Sequence, residues 1–236
     1  DFSFTDVDGD DTSFSRIQIT TIESSGDLEC QNANGDADGW QDCVADDYVT
    51  AGTSLRLTPA ANSVADITFS FKVHDGTAYS ASSYVMTVSV TAANDAPTFS
   101  ATANDLTVNE DTAGTITGTT VADIDDSSLT MTVASTQSAT FSLATTTGLT
   151  FSAGDGTSDN TMTFSGTTAN VNNAIATVTW TSQLNNDNNA QLSFTVSDGE
   201  AGDVVDTVAI TVNAVQDLPT AADFTVTVNE DNARVF

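Results

Sequence analysis

Positive charge is nearly missing from this chain: four Lys and Arg stand against 33 Asp and Glu, a formal net charge of −29 over 236 residues. A surface of that sign repels phosphate, so nucleic acid is excluded as a partner. Long apolar runs are missing too. No stretch approaches the roughly 20 residues that span a bilayer, which excludes insertion as a membrane helix. Neither an initiator Met nor a leader is visible, so targeting is expected to reside in a longer or processed precursor. His74 is the sole histidine, and no Ser or Cys has a positioned second base. A nucleophilic hydrolase needs both, so no enzyme is expected, and His74 reads as a structural strand residue. Carboxylates that cut glycosides form one pair per site, whereas the acids here recur along the chain. Two tryptophans, Trp40 and Trp180, are too few and too separate to suggest a sugar-stacking platform.

What is present is mostly Asp, Ser, Thr and short alternating apolar runs. Such acidity serves either solubility in salt water or cation binding, and the clustering of Asp at expected strand ends favours cations. Bound divalent ions would also relieve the self-repulsion of a compact acidic fold. Cys30 and Cys43 bracket a short polar loop with twelve residues between them. In a Lys-poor, Ser/Thr-rich chain this reads as a disulfide made in an oxidising compartment, with two free thiols as the alternative. The bridge would stabilise its loop by roughly 3 kcal/mol on the chain-entropy estimate. Inside it, Asn34-Gly-Asp36-Ala-Asp38-Gly39 matches the start of an EF-hand-like loop. Ala45 stands where that loop needs its closing Glu, so a weaker ion site and a plain surface loop both remain open.

Period-two alternation dominates, as in Phe69-Ser-Phe71-Lys-Val73, Val85-Met-Thr-Val88-Ser-Val90, Leu192-Ser-Phe194-Thr-Val196 and Val208-Ala-Ile210-Thr-Val212. Each run places apolar side chains on one face and Ser or Thr on the other, and Asp-Gly turns separate the runs. The expected class is all-β, as repeated sandwiches. One short helical turn is expected at Val171-Asn-Asn-Ala-Ile175.

The sequence also repeats. Leu106-Thr-Val-Asn-Glu-Asp111 returns as Val226-Thr-Val-Asn-Glu-Asp231. Asp123-Ile-Asp125 follows Glu110 by thirteen residues, while an orphan Asp6-Val-Asp8 opens the chain. Joining Phe236 to Asp1 would put Asp6 twelve residues after Glu230, so the chain reads as a cyclically cut unit of a repeating array. Matching junctions, Ala93-Asn-Asp-Ala-Pro97 and Val215-Gln-Asp-Leu-Pro219, set the boundaries. The expected layout is a domain over 1–93 lacking its first strand, a linker at 94–97, a complete domain over 98–213 and a linker at 214–219. Residues 220–236 then form the first strand of the next domain, completing domain 1 of the following unit.

Residues 108–126, the Ser197-Asp-Gly199 strand end and the Asn-Asp-x-Pro junction resemble cadherin repeats, most of all the cadherin-like tandem repeats of giant bacterial extracellular adhesins and surface filament proteins. The resemblance covers essentially the whole chain. It implies tandem cadherin-like (immunoglobulin-like) Greek-key β-sandwiches with Ca²⁺ at the domain junctions. By this resemblance one junction takes Asn94, Asp95, Asp123, Asp125 and Asp198, with Glu230 from the preceding unit. The other takes Glu110, Gln216 and Asp217 with Asp6, Asp8 and Asp75 of the next unit. The family's mid-domain Asp-Arg-Glu motif is missing from both domains and Gln216 departs from the usual linker amide, which points to two ions or fewer per junction. Ca²⁺ wants six to eight oxygens, more than one domain end supplies. The expected role is a structural repeat of an extracellular filament or adhesin stalk. Its partners are copies of itself joined head-to-tail, covalently or by strand donation, with a host or cell-surface ligand as a further expectation. A carbohydrate-binding or other ligand-binding sandwich is the alternative.

Overall fold

A computed structural model describes residues 14–37, 39–231, 233 and 235. The chain divides into two compact units, Asp1–Asn94 and Asp95–Phe236. Asp6, Asp8 and Asp38, all expected as ligands, lie outside the described residues.

In the first unit, alternation becomes strand: β1 (Arg16–Thr21), β2 (Asp27–Gln31), β3 (Trp40–Asp42), β4 (Tyr48–Thr50), β5 (Leu55–Thr58), β6 (Ile67–His74) and β7 (Tyr84–Val88). One sheet runs β4-β1-β6-β7 and the other β3-β2-β5. Ile17, Ile19, Val49, Phe69 and Phe71 of the first face Leu28, Cys30, Leu55 and Leu57 of the second in one core. On β6 the apolar residues Ile67, Phe69 and Phe71 turn inward while Thr68, Ser70 and Lys72 are half-buried. This is the period of two that an extended backbone imposes. Cys30 and Cys43 are bonded, with Cα atoms 5.2 Å apart, and both are buried. His74 is buried and packs edge-on against Tyr79, accepting a hydrogen bond at Nδ1 from the Gly76 N–H, as a structural strand residue would.

The second unit holds β8 (Thr98–Ala101), β9 (Leu106–Asn109), β10 (Gly114–Thr117), β11 (Thr120–Ala122), β12 (Ser128–Ser135), β13 (Thr140–Leu143), β14 (Thr150–Ala153) and β15 (Thr161–Thr167). After them come α1 (Thr168–Ile175), β16 (Thr177–Thr181), β17 (Ala190–Ser197) and β18 (Val204–Asn213). A six-stranded sheet, β14-β15-β12-β17-β18-β9, faces a three-stranded one, β10-β16-β13, and β8 pairs with β11. Trp180, Phe141, Phe164, Phe194 and Met131 are fully buried between them. Sheet neighbours far apart in sequence, and side chains from two sheets sharing one core, are the hallmark of a β-sandwich. All but one of the pairings are antiparallel; β9 runs parallel to the end of β18.

The helix is longer than the five-residue turn expected from sequence. Thr167 caps it by accepting from the Asn170 N–H, and Val171, Ala174 and Ile175 bury one stripe. A cap and an i, i+3, i+4 stripe are enough to hold two turns against the core.

The two units share a register. In the first, Ile17 stands opposite Val73 and Ile19 opposite Phe71, while Phe69 faces Met86 and Ile67 faces Val88. In the second, Met131 faces Val196 and Val133 faces Phe194, while Leu192 faces Val208 and Ala190 faces Ile210. The triplet β1-β6-β7 therefore matches β12-β17-β18 at these positions, and departs from it only after Ile19, where a bulge shifts the β1–β6 register. Four strands, β8 to β11, precede β12, and the described residues of the first unit contain no counterpart of them.

Candidate metal centre

Two tight turns bring carboxylates together where the chain enters the second unit. In one, Asp123 Oδ1 accepts from the N–H groups of Asp125 and Asp126, both at 2.8 Å. In the other, just past β17, Asp198 Oδ1 accepts from Glu200 and Ala201, both at 2.9 Å. Asp favours such turns because its short side chain reaches its own backbone two or three residues on. Gly199, at φ +90°, completes the second turn where a side chain would be strained. The outcome is that Asp123, Asp126 and Asp198 each bring a carboxylate oxygen within 4.8 Å of the other two. All three are half-buried, and Asp123 Oδ2 is buried with no hydrogen-bond partner among the described residues. Asp123 and Asp126 line an open recess formed by residues 122–127 and 167–169.

Asp95 joins from the linker: its N–H donates to Asp125 Oδ2 at 2.8 Å. Of the expected ligands, Asp123 and Asp198 bring their carboxylates together, and Asp125 is tied to the Asp95 backbone beside them. Asp126 was missed by sequence reading, although the third acid of Asp123-Ile-Asp-Asp126 closes the same turn and was there to be seen. Unit charges about 4.8 Å apart near a protein surface repel by about 3 kcal/mol per pair. A cation placed there would remove that cost and satisfy Asp123 Oδ2. The donors are all oxygens, the chemistry suited to Ca²⁺ rather than to a soft metal.

Glu110 lies at the other end of the second unit. It is buried, its N–H donates to the Asn213 carbonyl, and its Oε1 accepts from the Val215 N–H at 2.7 Å. This holds the Asn-Glu-Asp motif against the linker carrying Gln216 and Asp217, both exposed. Asp75 of the first unit repeats the geometry of Asp198, its Oδ1 accepting from Thr77 and Ala78. Those two N–H groups, Ala78 foremost, hold its carboxyl below the usual carboxylate range. Asn94 belongs to the first unit, and Glu230 is exposed on the tail.

In the cysteine loop the Asn34 amide is engaged internally, donating to Asp47 Oδ1 at 2.7 Å and accepting from the Tyr48 N–H. Asn34 takes φ +57° within a 3-10 turn at Ala33–Gly35, and Asp36 is exposed.

No family profile and no curated protein matches the chain. Among solved structures it is similar to mouse cadherin-23 EC22-24, with 14% identity, 84% of this chain and 54% of that chain covered, and a TM-score of 0.37. It is also similar to the titin domains z1z2 solved in complex with telethonin, at 12% identity, 87% and 100% coverage and a TM-score of 0.28. An endo-fucoidan hydrolase of glycoside hydrolase family 107 matches at 16% identity, 85% and 24% coverage and a TM-score of 0.23. These neighbours are cadherin and immunoglobulin-like domains and one hydrolase, and TM-scores this low carry no weight for family or function.

Proposed function

We propose that the chain is a structural repeat of an extracellular filament or adhesin stalk, stiffened by Ca²⁺ at its domain junctions and joined head-to-tail to further copies. The observation that carries this reading is the convergence of Asp123, Asp126 and Asp198 within 4.8 Å, with Asp125 bonded to the N–H of Asp95 in the linker. An ion held there ties the linker to the domain and replaces repulsion by shared coordination. Asn94 of the linker and a Glu230 from a neighbouring copy are the further oxygens proposed for this junction. Glu110, Gln216 and Asp217, with Asp6, Asp8 and Asp75 of the next copy, form the second junction in the same way. Asn34, Asp36 and Asp38 are a weaker third candidate.

The buried Cys30–Cys43 bridge supports an oxidising, extracellular setting. No helix among the described residues is long and apolar enough to cross a membrane. Sugar binding draws less support: the Arg56 guanidinium lies 4.6 Å from the Trp40 ring centroid and already covers that aromatic face.

The test is a melt with and without Ca²⁺. Modules of this kind bind at roughly 10⁻⁴–10⁻³ M, so 10 mM Ca²⁺ should stabilise the second unit by about 1–3 kcal/mol. An unchanged melt and an unchanged small-angle scattering profile across that titration would refute the reading.

A further inference from the structure

β7 ends at Val88, where its pairing with β6 ends. Its counterpart β18 does not stop at the equivalent Ile210. It continues through Asn213 because β9 lies beside it, with Ile210, Thr211, Val212 and Asn213 opposite Leu106, Thr107, Val108 and Asn109. Among the described residues β7 is an edge strand, and Ser89, Val90 and Thr91 beyond it take no strand conformation. Met86, Val88 and Val90 stay half-buried, whereas their counterparts Val208, Ile210 and Val212 are no more than 6% exposed.

The tail repeats the segment that neighbours β18. Residues 226–231 repeat the β9 segment from Leu106 to Asp111 with one change, Val226 for Leu106. Even the turn is copied, since Asp231 at φ 64° matches Asp111 at φ 60°. Yet the tail pairs with no described strand, and Phe224 and Val228 are 77% and 51% exposed.

We infer that the edge of β7 docks residues 226–229 of a second copy of this chain, added in parallel with Val226, Thr227, Val228 and Asn229 opposite Val88, Ser89, Val90 and Thr91. This rests on the head-to-tail reading and adds to it the edge, polarity and register. β7 then lengthens through Thr91, and Glu230 takes the place that Glu110 holds, its carboxylate accepting from the Ala93 N–H as Glu110 accepts from Val215. Main-chain hydrogen bonds supply the affinity, and Val226 and Val228 supply the apolar contacts that set the register.

Within the second unit the chain enters and leaves at opposite ends of the sheet. The chain enters beside Asp198, at one end of β17, and leaves past Val215, beyond the Ala190 end. Eight residues of strand separate these ends by about 25 Å. The tail also follows Pro219 as β8 and β9 follow Pro97, which is the order of a strand starting a further sandwich.

Paired cysteines test it. Ser89 and Thr227 are both exposed, so Ser89→Cys and Thr227→Cys should fold normally. Strands about 4.8 Å apart hold opposed cysteines within disulfide reach. Mild oxidation of a mixture of the two single variants should yield one new band at about twice the 24.4 kDa chain mass on a non-reducing gel. The double variant should yield a ladder. Pairing Ser89→Cys with Val228→Cys, which turns to the other face, should crosslink at least tenfold more slowly. A monomeric double variant that has lost both new thiols would place the chain's own tail on β7 and overturn the proposal. So would crosslinking at equal rates in the shifted pair, or none at all. As a second readout, a synthetic peptide of residues 220–231 should slow amide exchange at 89–91 in the unmodified chain, and a scrambled one should not. Running the gel in Ca²⁺ and in EDTA separates the two ideas. Crosslinking without any Ca²⁺-dependent melt would keep the docking edge and refute the calcium repeat; the opposite result would do the reverse.

Discussion

Glu110 Oε1 accepts a hydrogen bond from the Val215 N–H at 2.7 Å, joining residues 105 positions apart. The bond ties the start of the Asn-Glu-Asp turn to the linker that leaves the domain, at the place where β9 and β18 end side by side. A carboxylate buried here has a structural task whether or not an ion is bound, and the two tasks can be separated.

Glu110→Ala strips the Val215 N–H of its acceptor and should destabilise the second unit by about 1–3 kcal/mol in urea unfolding. Glu110→Gln keeps an amide oxygen for that bond and should recover most of the loss. If Glu110 also serves an ion, Gln will still weaken the Ca²⁺-dependent part of the melt. Equal stability of the Ala variant and the parent would remove Glu110 from the structural account.

Asp123→Asn and Asp126→Asn test the cluster from the opposite direction. Without Ca²⁺ each neutralisation relieves repulsion, so the melt should rise or stay level. With 10 mM Ca²⁺ the stabilisation of about 1–3 kcal/mol should shrink or vanish. A Ca²⁺ effect untouched by Asp126→Asn would leave that residue outside the site.

Acid should unfold the first unit partly through Asp75. Its folded-state carboxyl titrates below its ordinary value of 3.8, because Ala78 and Thr77 donate to the ionised form. A lowered folded pKa contributes stability that is present above the unfolded value and lost as pH falls through the folded one. Unfolding followed by Trp40, the one tryptophan of the first unit, should therefore lose stability as pH drops below about 4. Asp75→Asn should flatten that slope, and an identical pH profile would discard the explanation.

Reducing the Cys30–Cys43 bond should cost the first unit about 2–3 kcal/mol and leave the second unit unchanged. Denaturant unfolding with and without reductant, read at Trp40 and at Trp180, measures both at once. Loss of stability at Trp180 alone would contradict the placement of the bridge.

Much of the fold was legible because extended chain has a period of two. Phe69, Phe71 and Val73 could be put on one face from spacing alone, and so could Leu192, Phe194 and Val196. The Cys30–Cys43 pair needed only a short polar loop and an acidic, Lys-poor context. Of the three clustered carboxylates, the Asp-x-Asp and Asp-Gly motifs point to Asp123 and Asp198. Asp126 is not legible from the motif because its membership depends on where the turn, closed by the 2.8 Å bonds to Asp123 Oδ1, places it relative to Asp198. The helix was underestimated because Thr167 reads as a strand residue until its side chain is seen to cap Asn170.

The all-β class and the repeated motifs were legible without the fold, and the cysteine spacing favoured a bridge over two free thiols, since each depends on local spacing and side-chain chemistry that survive without tertiary context. Only the tertiary structure decided that β9 lies parallel to β18, that Glu110 turns to Val215 and that β7 stops at Val88 where β18 runs on. Those are pairings between segments far apart in the chain, and a strand's own alternation does not say which neighbour will satisfy its N–H and C=O groups.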